Sequence, residues 1–413
     1  MPALRSHFRC LLPPVLALAA GCSSAPAPQA VDSAPLRAFA ARGYAPAEQA
    51  VVVSSVHRWP LAGQLQTLLL LRPAPPVAGT SPLLPLLIYL PGLGETAQAG
   101  ARWRHAWAAA GYAVLSVQPL AEDATAWQSD LARDGAFRLL GQRHYAGSAV
   151  LRRVEAVAEL LAEARRRAVA GEADWQGIAW QRTAVAGFDL GAYTAMVLAG
   201  EQVRGAEGAA GRVPVRAVIA LSPYVNVADG GLDTRYRGIH GPVLAITSDA
   251  DGDPLGLVAG PAQRLAPFER SAGTDQYLLS LQGLAHAGLS GSAAAGGAAE
   301  RPDGGRSNAA ATDGDGGAQR GRSPSGGGEG GSRRRGSAPV AGNGNGNRHG
   351  AEAGRGAPPG GLSATAAQLR LIAAEAVSTA FLDATLREDP LARDWLQTHA
   401  ARWLGGAGEL RRK

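Results

Sequence analysis

The chain has 413 residues, a formal net charge of +6 and a pI near 9.7, enough length for one large domain or two smaller ones and a surplus of base. The basic residues are scattered and form no stripe interleaved with aromatics, which argues against a nucleic-acid interface. No paired His/Cys spacing has the pattern of a zinc site and no glycine-rich loop has that of a phosphate cradle, so neither a metal nor a cofactor is implied.

Arg5 and Arg9 precede an apolar run over residues 11–20 that is too short for an ordinary membrane span. The run ends in Leu18-Ala-Ala-Gly-Cys22-Ser-Ser, which resembles a bacterial lipoprotein signal. That resemblance implies a signal peptide over 1–21, lipidation at Cys22 and, with Ser23 next, a site at the outer membrane facing the periplasm. Acyl chains contribute about 0.8 kcal/mol per buried methylene, so several would anchor the protein durably. Ordinary signal cleavage near Ala20 is the alternative. Cys10, the other cysteine, would leave with the signal, so the mature chain would form no internal disulfide. The Ala/Pro-rich stretch 22–46 has the composition of a tether.

Residues 51–56 and 65–71, closed by Pro73, Pro75 and Pro76, have the pattern of opening antiparallel strands. Residues 83–90 are continuously apolar, as in a central strand buried on both faces, and lead into Pro91-Gly-Leu-Gly-Glu95. Residues 99–110 predict a helix with Trp103 and Trp107 on one face, stopped by Gly111. A strand over 113–117 precedes an amphipathic helix over 148–168 with Leu151, Val154, Val157 and Leu161 inward. Strands at 183–186, 215–221, 242–247 and 276–281, with a helix at 190–199, continue the alternation. The expected class is therefore α/β, a mostly parallel sheet with helices on both faces. The segment between Leu221 and Pro242 is too short for a large cap domain.

Residues 290–362 break this pattern. They contain no aromatic residue, and nine Arg are diluted by six acids. Such a tract cannot bury enough apolar surface to offset roughly 1–2 kcal/mol of backbone entropy per residue, and it is expected to be a disordered insertion. Helical patterns return over 366–386 and from Asp389-Pro390. The expected organisation is thus a core over 47–289, the insertion over 290–362 and C-terminal helices over 363–413 that complete the same domain.

The segment Gly187-Phe-Asp-Leu-Gly191 follows a strand pattern and opens a helix pattern. It resembles the G-x-S-x-G nucleophile elbow of the α/β-hydrolase superfamily, with Asp189 in place of serine. Tyr89-Leu-Pro-Gly-Leu-Gly94, Pro242-Val-Leu-Ala-Ile-Thr-Ser-Asp-Ala-Asp251 and the C-terminal segments at 378–386 and 392–396 add to the resemblance. They are similar to the dienelactone-hydrolase and bacterial platelet-activating-factor-acetylhydrolase-like branches. The resemblance implies an α/β-hydrolase fold, a small-molecule substrate and no cofactor. It also implies oxyanion donors at the Leu93 and Leu190 amides. A nucleophile needs a base, and the base needs an orienting acid. Downstream of Asp189, His286 is the base candidate by elimination. Asp251 is the acid picked by resemblance, with Asp253 as runner-up. Three functions stay open: a small-ester hydrolase with Asp189 as nucleophile, a dehalogenase or epoxide hydrolase, and a catalytically degenerate binding protein of the envelope. If Asp189 and Asp251 both face His286, its pKa should be raised.

Overall fold

A strand that is apolar along its whole length needs cover on both faces, and the sheet supplies it. The computed structural model describes residues 33–47, 49–75, 83–225, 231–292 and 362–413. Its strands are β1 (Val52–Leu61), β2 (Gln64–Pro73), β3 (Leu84–Leu90), β4 (Ala113–Val117), β5 (Ile178–Phe188), β6 (Ala217–Leu221), β7 (Val243–Ser248), β8 (Gln276–Leu281) and β9 (Gly408–Arg412). They form one nine-stranded sheet in the order β1-β2-β4-β3-β5-β6-β7-β8-β9. The pairings from β4 through β8 are parallel, and the outer pairings, β1 with β2, β2 with β4 and β8 with β9, are antiparallel.

Along β3, Leu86, Ile88 and Leu90 alternate with Leu87 and Tyr89, so the two sets face opposite sides. The first set packs with the helices Gly147–Val169 and Leu190–Ala199. The second packs with Ala101–Ala109 and Ala364–Leu386. Each large side chain buried this way contributes about 1.5–3 kcal/mol. The chain is thus α/β with helices on both faces of a mostly parallel sheet.

The C-terminal helix belongs to this core. Trp107 Nε1 donates to Ser378 Oγ at 3.0 Å, the Tyr112 hydroxyl donates to Asp383 Oδ1 at 2.6 Å, and Arg102 Nε pairs with Glu375 Oε1 at 2.6 Å. Almost all of the expected insertion, along with the signal and Cys22, lies outside the described residues. At its margins, the Ser292 hydroxyl donates to Glu95 Oε1 at 3.1 Å, and Leu362 packs over Gly283. No helix among the described residues is long and apolar enough to cross a membrane.

Three segments stand outside the expectation, the last of them β9, a strand at the end of the helices expected over 363–413. Within the stretch expected as a tether, Ser33–Ala40 is a helix docked on the domain. Phe39 stacks on Trp403 at 4.4 Å, and the Tyr44 hydroxyl donates to Asp383 Oδ2 at 2.7 Å. Burial of two aromatics outweighs the local Ala/Pro composition. The second segment lies between β4 and Gly147–Val169, where three short helices, Ala121–Ala124, Asp130–Arg133 and Phe137–His144, form an excursion. They are too short for a 3.6-residue period to stand out in sequence.

Candidate functional site

The register levels the carboxyl ends of the strands. Leu90 pairs with Gly187, Phe188 with Leu221, Leu221 with Ile246 and Ser248 with Leu281. The chain steps from β3 to β4 in one direction and returns past β3 to β5, so the strand order reverses there. The crevice at the carboxyl ends beside such a reversal is where open α/β sheets bind ligands. Asp189 follows β5 at that point.

Glycines make the turn possible. A Cβ on Gly187 would lie 2.2 Å from the Gly191 carbonyl carbon, and one on Gly191 would lie 1.9 Å from the Leu90 oxygen. Asp189 itself has φ 53° and ψ −108°, a left-handed backbone that a residue with a side chain rarely adopts. The residue is 8 % exposed. The Tyr145 hydroxyl donates to Asp189 Oδ1 at 2.5 Å, and the Leu93 amide reaches Oδ2 at 3.5 Å. Leu190 opens its helix, so its N–H has no intrahelical acceptor. The side chains of Leu93 and Leu190 are buried in the core on one face of the sheet.

Asp251, fully buried after β7, is held from several sides. His286 Nδ1 lies 2.8 Å from Asp251 Oδ1, and the Ser222 hydroxyl donates to the same oxygen at 2.9 Å. Thr247 Oγ1 donates to Oδ2 at 2.8 Å, and the buried Arg264 Nε lies 3.2 Å from Oδ2. Arg264 also donates to the Ser222 and Pro223 carbonyls at 3.3 and 2.8 Å, fixing the end of β6. Ser222 has φ 54°, a second left-handed non-glycine residue on the same edge. Asp253 instead caps a turn: its carboxylate accepts from the Leu255 and Val258 amides at 2.9 and 2.7 Å. Asp249 accepts from the Gly283 amide at 2.5 Å at an exposed position.

Asp189, Leu93, Asp251 and His286 thus gather on one edge of the sheet. The rings of Phe188 and His286 lie 5.0 Å apart, which places the histidine beside the elbow. Asp189 and His286 are not hydrogen-bonded to each other; the carboxylate is taken by Tyr145 and Leu93. Burial alone would lower the His286 pKa. The hydrogen bond to Asp251 and the charges of Asp189 and Asp251 outweigh it, and the net shift is upward. Only one of the two carboxylates expected to face the imidazole touches it; the other acts through space.

Four further residues shape the site. Glu95 accepts from the Gly92 amide at 2.8 Å, and its pKa is raised by burial and by the Asp189 charge, against the hydrogen bonds it accepts. Tyr145, Ser222 and Arg264 are the others. Glu95 stands inside the motif Tyr89–Gly94 continues into, so sequence proximity could have marked it. The other three reach the site from a segment without periodicity, from a strand end and from a short helical turn, and carry no local signal.

No group of three or more His, Cys, Asp or Glu among the described residues is arranged to hold a metal ion. A cavity of about 860 Å³, lined by Arg165, Trp180, Gln181, Val215 and Arg216 among others, lies at the amino ends of β5 and β6, away from Asp189. No protein-family model matches this sequence, and no curated protein is detectably similar to it.

Proposed function

We propose that the protein is an α/β-hydrolase that cleaves a small ester with Asp189 as nucleophile, His286 as base and Asp251 as orienting acid. The observation that supports this is a buried carboxylate on a left-handed elbow, on the same sheet edge as a hydrogen-bonded pair of the buried Asp251 and the partly exposed His286. Strained backbone of this kind persists where the surroundings over-determine it and clusters at functional positions. A carboxylate nucleophile has no proton to lose, so no hydrogen bond to the base is needed. The imidazole acts later, taking a proton from the water that hydrolyses the intermediate. The Leu93 and Leu190 amides fit the role of donors to the substrate's carbonyl oxygen as charge develops there.

A second reading is displacement at an alkyl carbon, by a dehalogenase or epoxide hydrolase. The carboxylate itself favours it, while Leu190 occupies the position where similar dehalogenases carry a halide-binding Trp. Incubation with ester, haloalkane and epoxide panels in heavy-oxygen water, followed by mass spectrometry of the Asp189 peptide, separates the readings. Heavy oxygen is expected in Asp189 after turnover, and Asp189→Asn is expected to lower turnover by about four orders of magnitude. Undiminished turnover in that variant would remove Asp189 as nucleophile. Inertness on every panel would leave the binding-protein reading.

The proposed location is the outer membrane, through a lipidated Cys22, and it rests on the Leu18–Cys22 motif, the basic and apolar stretch before it and Ser23 after it. Palmitate labelling of the wild type and its loss in Cys22→Ala are expected. Equal labelling of both would refute the anchor.

A further inference from the structure

The two oxygens of the Asp189 carboxylate are unequal. Oδ1 takes the Tyr145 hydroxyl at 2.5 Å, and among the described residues Oδ2 meets only the Leu93 amide at 3.5 Å, a weak contact. Tyr145 is 3 % exposed, with its ring 4.4 Å from Tyr224 and 6.0 Å from Tyr193. Its backbone is fixed by a buried network. His144 Nδ1 lies 2.7 Å from Asp123 Oδ1, and Arg153 binds the two oxygens of Asp123 at 2.6 and 2.8 Å and the His144 carbonyl at 2.7 Å. The Asp123 carbonyl accepts from the Gly94 amide at 2.8 Å, so one network sets both Tyr145 and the loop that carries Leu93.

Building on the carboxylate-nucleophile reading, we infer that Tyr145 is a catalytic residue: it reserves Oδ1, leaves Oδ2 to attack, and stabilises the negative charge that forms on Oδ1 when the intermediate is hydrolysed. In the first step, Oδ2 bonds to the acyl carbon of the ester, and the alkoxide leaves with a proton from the His286 imidazolium. Asp189 is then one half of a mixed anhydride, and its Cγ=Oδ1 is a neutral carbonyl. In the second step, His286 takes a proton from water as the water oxygen bonds to Cγ, and the π pair moves onto Oδ1. Collapse of that oxyanion re-forms a Cγ=O bond and breaks Cγ–Oδ2, releasing the acid as its carboxylate, with Oδ2 in the product and the water oxygen in Asp189, which is left as the carboxylic acid and gives that proton to solvent to restore the carboxylate. The charge on Oδ1 appears only in this step, so a rigid donor aimed at Oδ1 favours the transition state over the neutral anhydride. In the first step the same hydrogen bond stabilises the starting carboxylate and gives no acceleration. Burial first, then the Asp189 charge and hydrogen bond, keeps the Tyr145 hydroxyl well above its ordinary pKa, so it stays a donor across the working pH range.

Tyr145→Phe therefore has opposite effects on the two steps. With p-nitrophenyl acetate, the variant is expected to give a burst of p-nitrophenolate equal to the enzyme concentration. A steady state about 10²–10³-fold slower than wild type follows, the usual cost of one oxyanion donor. In heavy-oxygen water the label should still enter Asp189. A merely structural role for Tyr145 lowers burst and steady state together. A burst in His286→Ala but none in Tyr145→Phe overturns the assignment of Tyr145 and leaves Asp189 as nucleophile. No burst in either variant, with no heavy oxygen in wild-type Asp189, overturns the nucleophile reading and this inference with it.

Discussion

Asp251 gathers more partners than the orientation of one imidazole requires. Its Oδ2 is shared by Thr247 and Arg264, both buried. Removing one partner of a buried ion pair leaves an uncompensated charge, so Arg264→Met is expected to cost about 3–5 kcal/mol in chemical denaturation. Thr247→Val should cost less, about 1–3 kcal/mol, because only a neutral donor is lost. The raised pKa of His286 has two consequences with a definite sign. Hydrolysis of the intermediate uses the neutral imidazole, so where that step limits, the acid limb of kcat lies above the ordinary histidine value of about 6.5, while formation of the intermediate uses the imidazolium and kcat/KM falls as pH rises through the raised value. In stability, the folded state holds this proton more tightly than the unfolded state does. The contribution is fully present below about pH 6.5 and is lost as pH rises through the raised folded value. Asp189→Asn removes one of the charges responsible. An NMR titration of the imidazole should then show a lower pKa, and an unchanged value would mean that Asp189 does not act on the ring.

The turn between β5 and its helix is the most constrained piece of backbone in the site, and glycine carries it. Gly191→Ala would drive a methyl to 1.9 Å from the Leu90 oxygen, a backbone atom that cannot swing aside. A loss of about 3 kcal/mol or more is expected, against about 0.5 kcal/mol or less for Gly241→Ala, where nothing lies within 4 Å of the added carbon. These glycines are also why so much of the fold was legible. A continuous apolar run as short as residues 84–90 fits a strand covered on both faces, and Gly187 with Gly191 between a strand pattern and a helix pattern fits a close strand–helix turn. Asp189 and His286 each follow such a strand, so chain order was enough to nominate them, whereas Asp249, Asp251 and Asp253 all follow one strand and only the family resemblance separated Asp251 from the other two. The excursion that delivers Tyr145 was not legible, because its helices span only about one to two turns, too few for the period to repeat and stand out. Nor was β9, whose Gly-Glu-Leu-Arg-Arg shows no apolar alternation; it is an edge strand, where charge deters pairing with other chains. The docked segment that begins with the helix Ser33–Ala40 was hidden by composition, since two aromatic contacts with residues far along the chain, Phe39 on Trp403 and Tyr44 with Asp383, decide its place. Phe39→Ala is expected to cost about 3 kcal/mol in thermal or chemical melts.

Chain order and spatial order diverge on either side of residues 293–361. The segment before them supplies eight strands, and the segment after them supplies the edge strand β9 and the helix Ala364–Leu386 that covers one face of the sheet. Those late elements are bound by ladder pairing of Tyr277–Leu281 with Gly408–Arg412, by the Tyr112–Asp383 and Trp107–Ser378 hydrogen bonds, and by a shared apolar layer. A peptide bond cut anywhere between Ser292 and Leu362 therefore severs connectivity but no contact just described. The two products should elute together from a sizing column and part only in denaturant. Expressed from separate genes, they should find each other as a split protein whose halves report on their own association.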